Sequence, residues 1–243
     1  MGTISETGHD VNIANFKLII MACGSFGVKY NPSNALISVA AMETQYAAAV
    51  VLQSEYVKST AVLKLPVNER EDLLVALRGI VVRVVALLGS TEAGKSIVKD
   101  VKGLARKMTG SNVKRKRLAN GDIDPKSVSN SHLGIDSRLE NFNKFVELLA
   151  LEPLYVPNET DLQVVSLRAL LADLQAAVGV VDTLEVDVNM KRLARDRALY
   201  KADVGILDVA LACKNYVKAV FGSRGLETHG VTGIYMKRII KRF

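Results

Sequence analysis

The amino-acid sequence predicts an all-α fold: two tandem up-down four-helix-bundle-like repeats joined by a basic linker. Three observations predict it. The chain repeats itself at a nearly constant spacing, its apolar residues recur with a helical period, and its five prolines fall between the periodic segments. The expected divisions are a first helical repeat at 1–110, a linker at 111–131 and a second helical repeat at 132–243.

Named residues carry the duplication. Gly8, Asp10, Ile13, Asn15 and Phe16 recur as Gly134, Asp136, Leu139, Asn141 and Phe142, each 126 residues further on. Tyr30 and Pro32 recur as Tyr155 and Pro157 at a spacing of 125, and Ile37, Val39 and Met42 recur as Leu162, Val164 and Leu167 at the same spacing. Val84, Leu88, Gly89 and Ser90 match Val217, Phe221, Gly222 and Ser223 at a spacing of 133, so the second copy holds extra residues in its middle.

Each copy reads as four helices. The first opens at Asp10 or Asp136, where a carboxylate can accept from the free amides of a first turn, and ends near Gly24 or Leu151. The second follows Pro32 or Pro157, with Ser33 and Asn158 as caps. Leu167, Leu170, Leu171, Leu174, Val178 and Val181 form one apolar stripe along it. The third runs from Glu69 to Leu88, beyond Pro66, and from Lys201 to Phe221. A Gly-Ser pair suited to a helix end follows each. The fourth runs from Thr91 to Met108 and from Leu226 to Lys241.

Composition agrees with close-packed helices. Hydrophobic residues make up 49% and aromatics 5%, with no Trp, so the core must be aliphatic. A total of 32 Lys+Arg against 25 Asp+Glu gives a net charge of +7, which favours anionic partners such as nucleic acid or acidic proteins. No basic segment followed by an apolar run opens the chain, and the run Ile80 to Leu88 is broken by Arg83 and too short for a bilayer. The expectation is a cytoplasmic protein without a membrane partner. Cys23 and Cys213 both sit in apolar helical surroundings and read as reduced core residues.

The turns Tyr30-Asn31-Pro32-Ser33 and Tyr155-Val156-Pro157-Asn158-Glu159, with the pattern around Asn15-Phe16, resemble an uncharacterised family of tandemly duplicated, all-helical bacterial proteins. The resemblance covers most of the chain. Its motifs are turn and core residues, so it implies a fold and brings no activity.

Gly89-Ser90-Thr91-Glu92-Ala93-Gly94-Lys95-Ser96 fits the phosphate-loop pattern, in which Gly89, Gly94, Lys95 and Ser96 would bind a nucleotide. Ile80 to Leu88 would have to be the preceding strand, and the apolar run Val178 to Asp182 the metal-holding one. No strand–helix alternation supports a parallel sheet, and the second copy lacks Gly-Lys-Ser at the matching place, so the match reads as fortuitous. Lys114, Arg115, Lys116 and Arg117 in the linker, with Lys237, Arg238, Lys241 and Arg242 in the tail, are candidates for nucleic-acid phosphates, although no aromatic interleaves the linker cluster. His9, His132 and His229 lack metal-ligand spacing, and no catalytic set is visible. The pair Asn15 and Asn141 reads as helix–helix hydrogen bonding, and Tyr30 and Tyr155 as turn anchors on Pro32 and Pro157. The sequence therefore predicts a non-enzymatic structural or scaffold protein, without cofactor or metal, that self-associates into a homo-oligomer, filament or other helical assembly. The alternatives are nucleic-acid binding through the basic linker and tail, and then a phosphate-loop nucleotide-binding protein.

Overall fold

A computed structural model describes residues 8–109 and 134–239. Seven α-helices lie in this range: α1 (His9–Ser25), α2 (Val39–Ser90), α3 (Lys95–Thr109), α4 (Ile135–Leu151), α5 (Val164–Tyr200), α6 (Ile206–Phe221) and α7 (Leu226–Thr232). No strand occurs among the described residues, so the all-helical expectation is met.

The compact units cut across the expected repeat boundaries. One unit joins Met1–Leu63 to Leu184–Phe243, and the other is Lys64–Thr183. The first unit takes α1 and the opening of α2 from the first copy. From the second copy it takes the end of α5, with α6 and α7. The second unit holds the complementary pieces, namely the end of α2, α3, α4 and the start of α5. Both α2 and α5 therefore contribute to both units.

The second and third helices expected in the first copy are one helix of 52 residues, with Pro66 inside it. Proline removes one backbone donor and crowds the preceding turn, which usually ends a helix. Here each flank has its own packing, which outweighs local propensity. Met42 and Ala49 are buried on one side of Pro66, and Leu74, Leu77, Val81, Val84 and Leu88 on the other. In the second copy the same path is broken. The chain turns between Tyr200 and Ile206, within the interval where the repeat spacing changes. Asp203 adopts φ 66°, and its amide donates to Asp208 Oδ2 at 3.1 Å. Gly205 is required there, because a Cβ would stand 2.8 Å from Lys201 N and O.

Contrary to the short-stretch reading, α2 and α5 each hold an 18-residue window long and apolar enough to cross a membrane.

The helix starts differ from expectation by a residue or two. Gly8 and Gly134 occupy the cap positions, and Asp10 and Asp136 sit in the first turn, where they still complement the helix dipole. Asp10 instead accepts from Gln53 Nε2 at 3.1 Å. Asn34, in place of Ser33, caps the short turn ahead of α2, and Ser38 Oγ accepts from Ala41 N at 3.3 Å. In the second copy the 3-10 turn is Thr160–Leu162, beyond Asn158.

The two units share a core motif. Phe16 is fully buried in one and Phe142 in the other. Tyr30 donates its hydroxyl to Ile37 O at 2.6 Å, and Tyr155 donates to Leu162 O at 2.6 Å. The tyrosines thus lock the turn that follows each first helix through a carbonyl. On α5 five of the six expected stripe residues, Leu167, Leu171, Leu174, Val178 and Val181, are buried, and the sixth, Leu170, is partly buried against the same core.

Candidate functional site

The phosphate-loop match folds as a helix–turn–helix. Residues 80–88 are helical, α2 ends at Ser90, and α3 begins at Lys95. Thr91 Oγ1 donates to Leu88 O at 2.8 Å and accepts from Ala93 N at 3.3 Å, which closes the turn locally. Val178 to Asp182 lies within α5. A phosphate loop hangs between a strand and a helix, and neither supposed strand exists.

The same turn nevertheless opens a basic cleft. α3 is strongly amphipathic, with Val101, Ala105 and Met108 buried. Its other face presents Lys95, Lys99, Lys102 and Arg106 at spacings of four, three and four, which places them on one side of the helix. These four cations, with Gly89 and Thr91, line a cavity of about 470 Å³ that no carboxylate among the described residues lines. None of them joins an ion pair among the described residues. Gly94 and Ser96 are exposed and do not line it. Reading for linker and tail clusters missed this face, because its charges are spread over twelve positions and show only at helical period.

Lys114, Arg115, Lys116, Arg117, Lys241, Arg242 and His132 lie outside the described residues. The tail residues that are described serve the fold. The fourth helix of the second copy stops at Thr232 instead of reaching Lys241, and the chain beyond it is strapped onto α1. Asn12 grips the Lys237 backbone from both sides, donating to Lys237 O at 2.7 Å and accepting from Lys237 N at 3.0 Å. Asn15 Nδ2 donates to Tyr235 O at 2.6 Å, and Lys214 Nζ donates to Ile234 O. Arg238 donates to Tyr200 O at 2.5 Å and pairs with Asp208 at 3.2 Å, so its charge is already used inside the unit. Asn15 therefore holds the strap, while Asn141 donates to Ser137 O in its own helix at 2.6 Å. Neither makes the expected helix–helix bond.

A buried polar network stands behind the strap. Tyr200 Oη lies 2.9 Å from His9 Nδ1 and accepts from Asn12 Nδ2 at 3.1 Å. Arg195 and Asp196, both buried, pair at 2.6 Å, with the Arg195 guanidinium 4.3 Å above the Tyr56 ring. Burial and then the Arg195 charge hold the His9 pKa below its usual value. No group of three or more metal-ligating side chains occurs among the described residues.

Cys23 and Cys213 are buried free thiols, as their apolar surroundings imply. Their helices also bring them together, with Sγ atoms 3.1 Å apart. Tyr30 Oη stands 3.3 Å from Cys213 Sγ. The hydrogen bond to Cys213 and then burial push the Cys23 thiol up, and burial pushes Tyr30 up.

Comparisons with protein families, with curated proteins and with solved structures found no match to this chain.

Proposed function

We propose that the protein is a non-enzymatic cytoplasmic scaffold that associates with further copies of itself, one of a tandemly duplicated helical bacterial kind. The carrying observation is apolar surface left uncovered on its two longest helices. In the most apolar 18-residue windows of α2 and α5, 28% of the residues are buried. The inner side of the α2 window is packed, yet Val75 and Val82 on other sides are 63% and 62% exposed. On α5, Val165 is 77% exposed. A helix apolar beyond its packed stripe gains by covering the rest, at about 25 cal/mol per Å² removed from water. Arg83 of α2 pairs with Asp161, and Arg168 of α5 pairs with Glu147 of α4. Charged pairs bordering apolar surface suit the rim of a protein interface and are costly in lipid.

Light scattering on the full chain tests this. The expected result is a mass that is a multiple of 26.4 kDa, reduced to one copy by Val75→Lys with Val82→Lys while the circular dichroism spectrum is kept. A wild-type chain that stays monomeric at high concentration overturns the reading, as does partition into lipid vesicles.

The basic face of α3 favours a second reading, in which the scaffold grips a polyanion such as nucleic acid. Four cations on one helix side can neutralise successive phosphates without reading sequence.

A further inference from the structure

The chain has two cysteines, and the fold brings them together across 190 positions of sequence, inside the core of one unit. The repeat supplies an internal control for what that position needs. By the spacings of 126 and 133, the counterpart of Cys23 is Leu149 and the counterpart of Cys213 is Ile80. Leu149 is buried, and Ile80 packs against the same core. Aliphatic side chains therefore fill the equivalent place in the other unit, and packing alone does not call for sulfur. The tyrosines differ in the same sense. Among the described residues the Tyr155 hydroxyl bonds its turn carbonyl alone, whereas the Tyr30 hydroxyl also reaches Cys213.

We propose that Cys23 and Cys213 form a reactive dithiol that a small peroxide-class oxidant closes to a disulfide between α1 and α6. A hydrogen bond from the Cys23 thiol favours a negative Cys213 sulfur and, against the opposing effect of burial, holds its pKa below the usual thiol value. The Cys213 thiolate attacks one peroxide oxygen. The O–O bond breaks, the other oxygen leaves as hydroxide and takes up a proton to become water, and Cys213 becomes a sulfenic acid. Cys23 sulfur then attacks Cys213 sulfur, the S–S bond forms, the S–O bond breaks, and the departing hydroxide leaves as water with the Cys23 proton. Two thiols lose two electrons and one peroxide yields two waters. The sulfurs need to approach from 3.1 Å to about 2.05 Å, a shift that side-chain rotation and a small helix adjustment supply. Both side chains are fully buried, so local opening of α1 from α6 sets the rate and a small oxidant is selected over a bulky one.

The test uses the reduced full chain, hydrogen peroxide in one arm and glutathione disulfide in the other, followed by denaturation, alkylation and intact-mass measurement. The expected product in the peroxide arm is a monomeric chain that has lost two hydrogens, takes no alkyl group, and regains both thiols with dithiothreitol. Glutathione disulfide should react at least tenfold more slowly. With Cys23→Ala, checked for fold by circular dichroism, Cys213 should be trapped by dimedone as its sulfenic acid. Cys213→Ala should lower peroxide consumption at least tenfold. Two alkylatable thiols remaining after peroxide has fully oxidised free glutathione in the same tube overturn the proposal. So does conversion to sulfinic acid without a disulfide. Neither result depends on whether the chain self-associates.

Discussion

Tyr155→Phe removes one hydroxyl and almost no volume, which isolates the bond that locks the turn ahead of α5. Leu162 O then loses its donor, at 2.6 Å, in a residue that is 4% exposed. An unsatisfied buried acceptor costs about 1–3 kcal/mol, and for a chain of this size each kcal/mol lowers the melting temperature by about 2–4 °C. A loss of about 2 kcal/mol, or about 4–8 °C, is expected by calorimetry and by urea titration. Tyr30→Phe breaks the same bond at the matching place and also loses the Cys213 contact, so it should cost at least as much. The pH dependence gives a second readout. Burial, with the charges of Glu159 and Asp161, pushes the Tyr155 phenol up to about 12. The unfolded phenol titrates near 10. A raised folded pKa means the contribution is complete below about pH 10 and is lost as pH rises toward 12. Tyr155→Phe should lack that alkaline loss. A Tyr155→Phe chain as stable as wild type, or one far more damaged than Tyr30→Phe, would refute the shared locking role.

The remaining predictions concern charge. His9 is held below its usual pKa by burial and Arg195, so the unfolded chain binds the proton first and stability falls as pH drops below about 6.5. His9→Gln should flatten the urea midpoint against pH between 5 and 7, and an unchanged slope would exclude His9 as its source. Replacing Lys95, Lys99, Lys102 and Arg106 with Ala should weaken duplex DNA binding across sequences and flatten the salt slope by up to about 3–4. Lys95→Ala alone should leave the fold intact, and saturable ATP binding abolished by that one change would restore the nucleotide reading.

The helical class was legible because periodicity and duplication agree. The stripe from Leu167 to Val181 and the Phe16/Phe142 pair are visible from spacing alone, and both are buried as that spacing implies. Pro66 misled because a proline's local cost is visible in sequence, while the tertiary packing on both its flanks is not. The strap from Gly233 to Ile239 was hidden for the same reason. Its sequence is compatible with a helix, and it is held open by Asn12, Asn15 and Lys214 from far along the chain. Asp10 and Asp136 missed the cap by two positions, within the ordinary uncertainty of a helix boundary. The cysteine contact could not be read from either residue's surroundings, since it depends on α1 meeting α6.

The way the compact units share the chain has a consequence for the order of synthesis. A ribosome finishes residues 64–183, everything the second unit needs, while 184–243 are still to be made. At about 5–20 residues per second, α1 and its apolar side chains Phe16, Ile19 and Ile20 wait about 10–40 s for α6 to be made. Of the seven helices described, the first to be made is thus among the last to be covered. During that interval the newborn chain displays a sticky surface that the finished protein hides, and this interval is when a holding chaperone, or a second nascent chain, would find it.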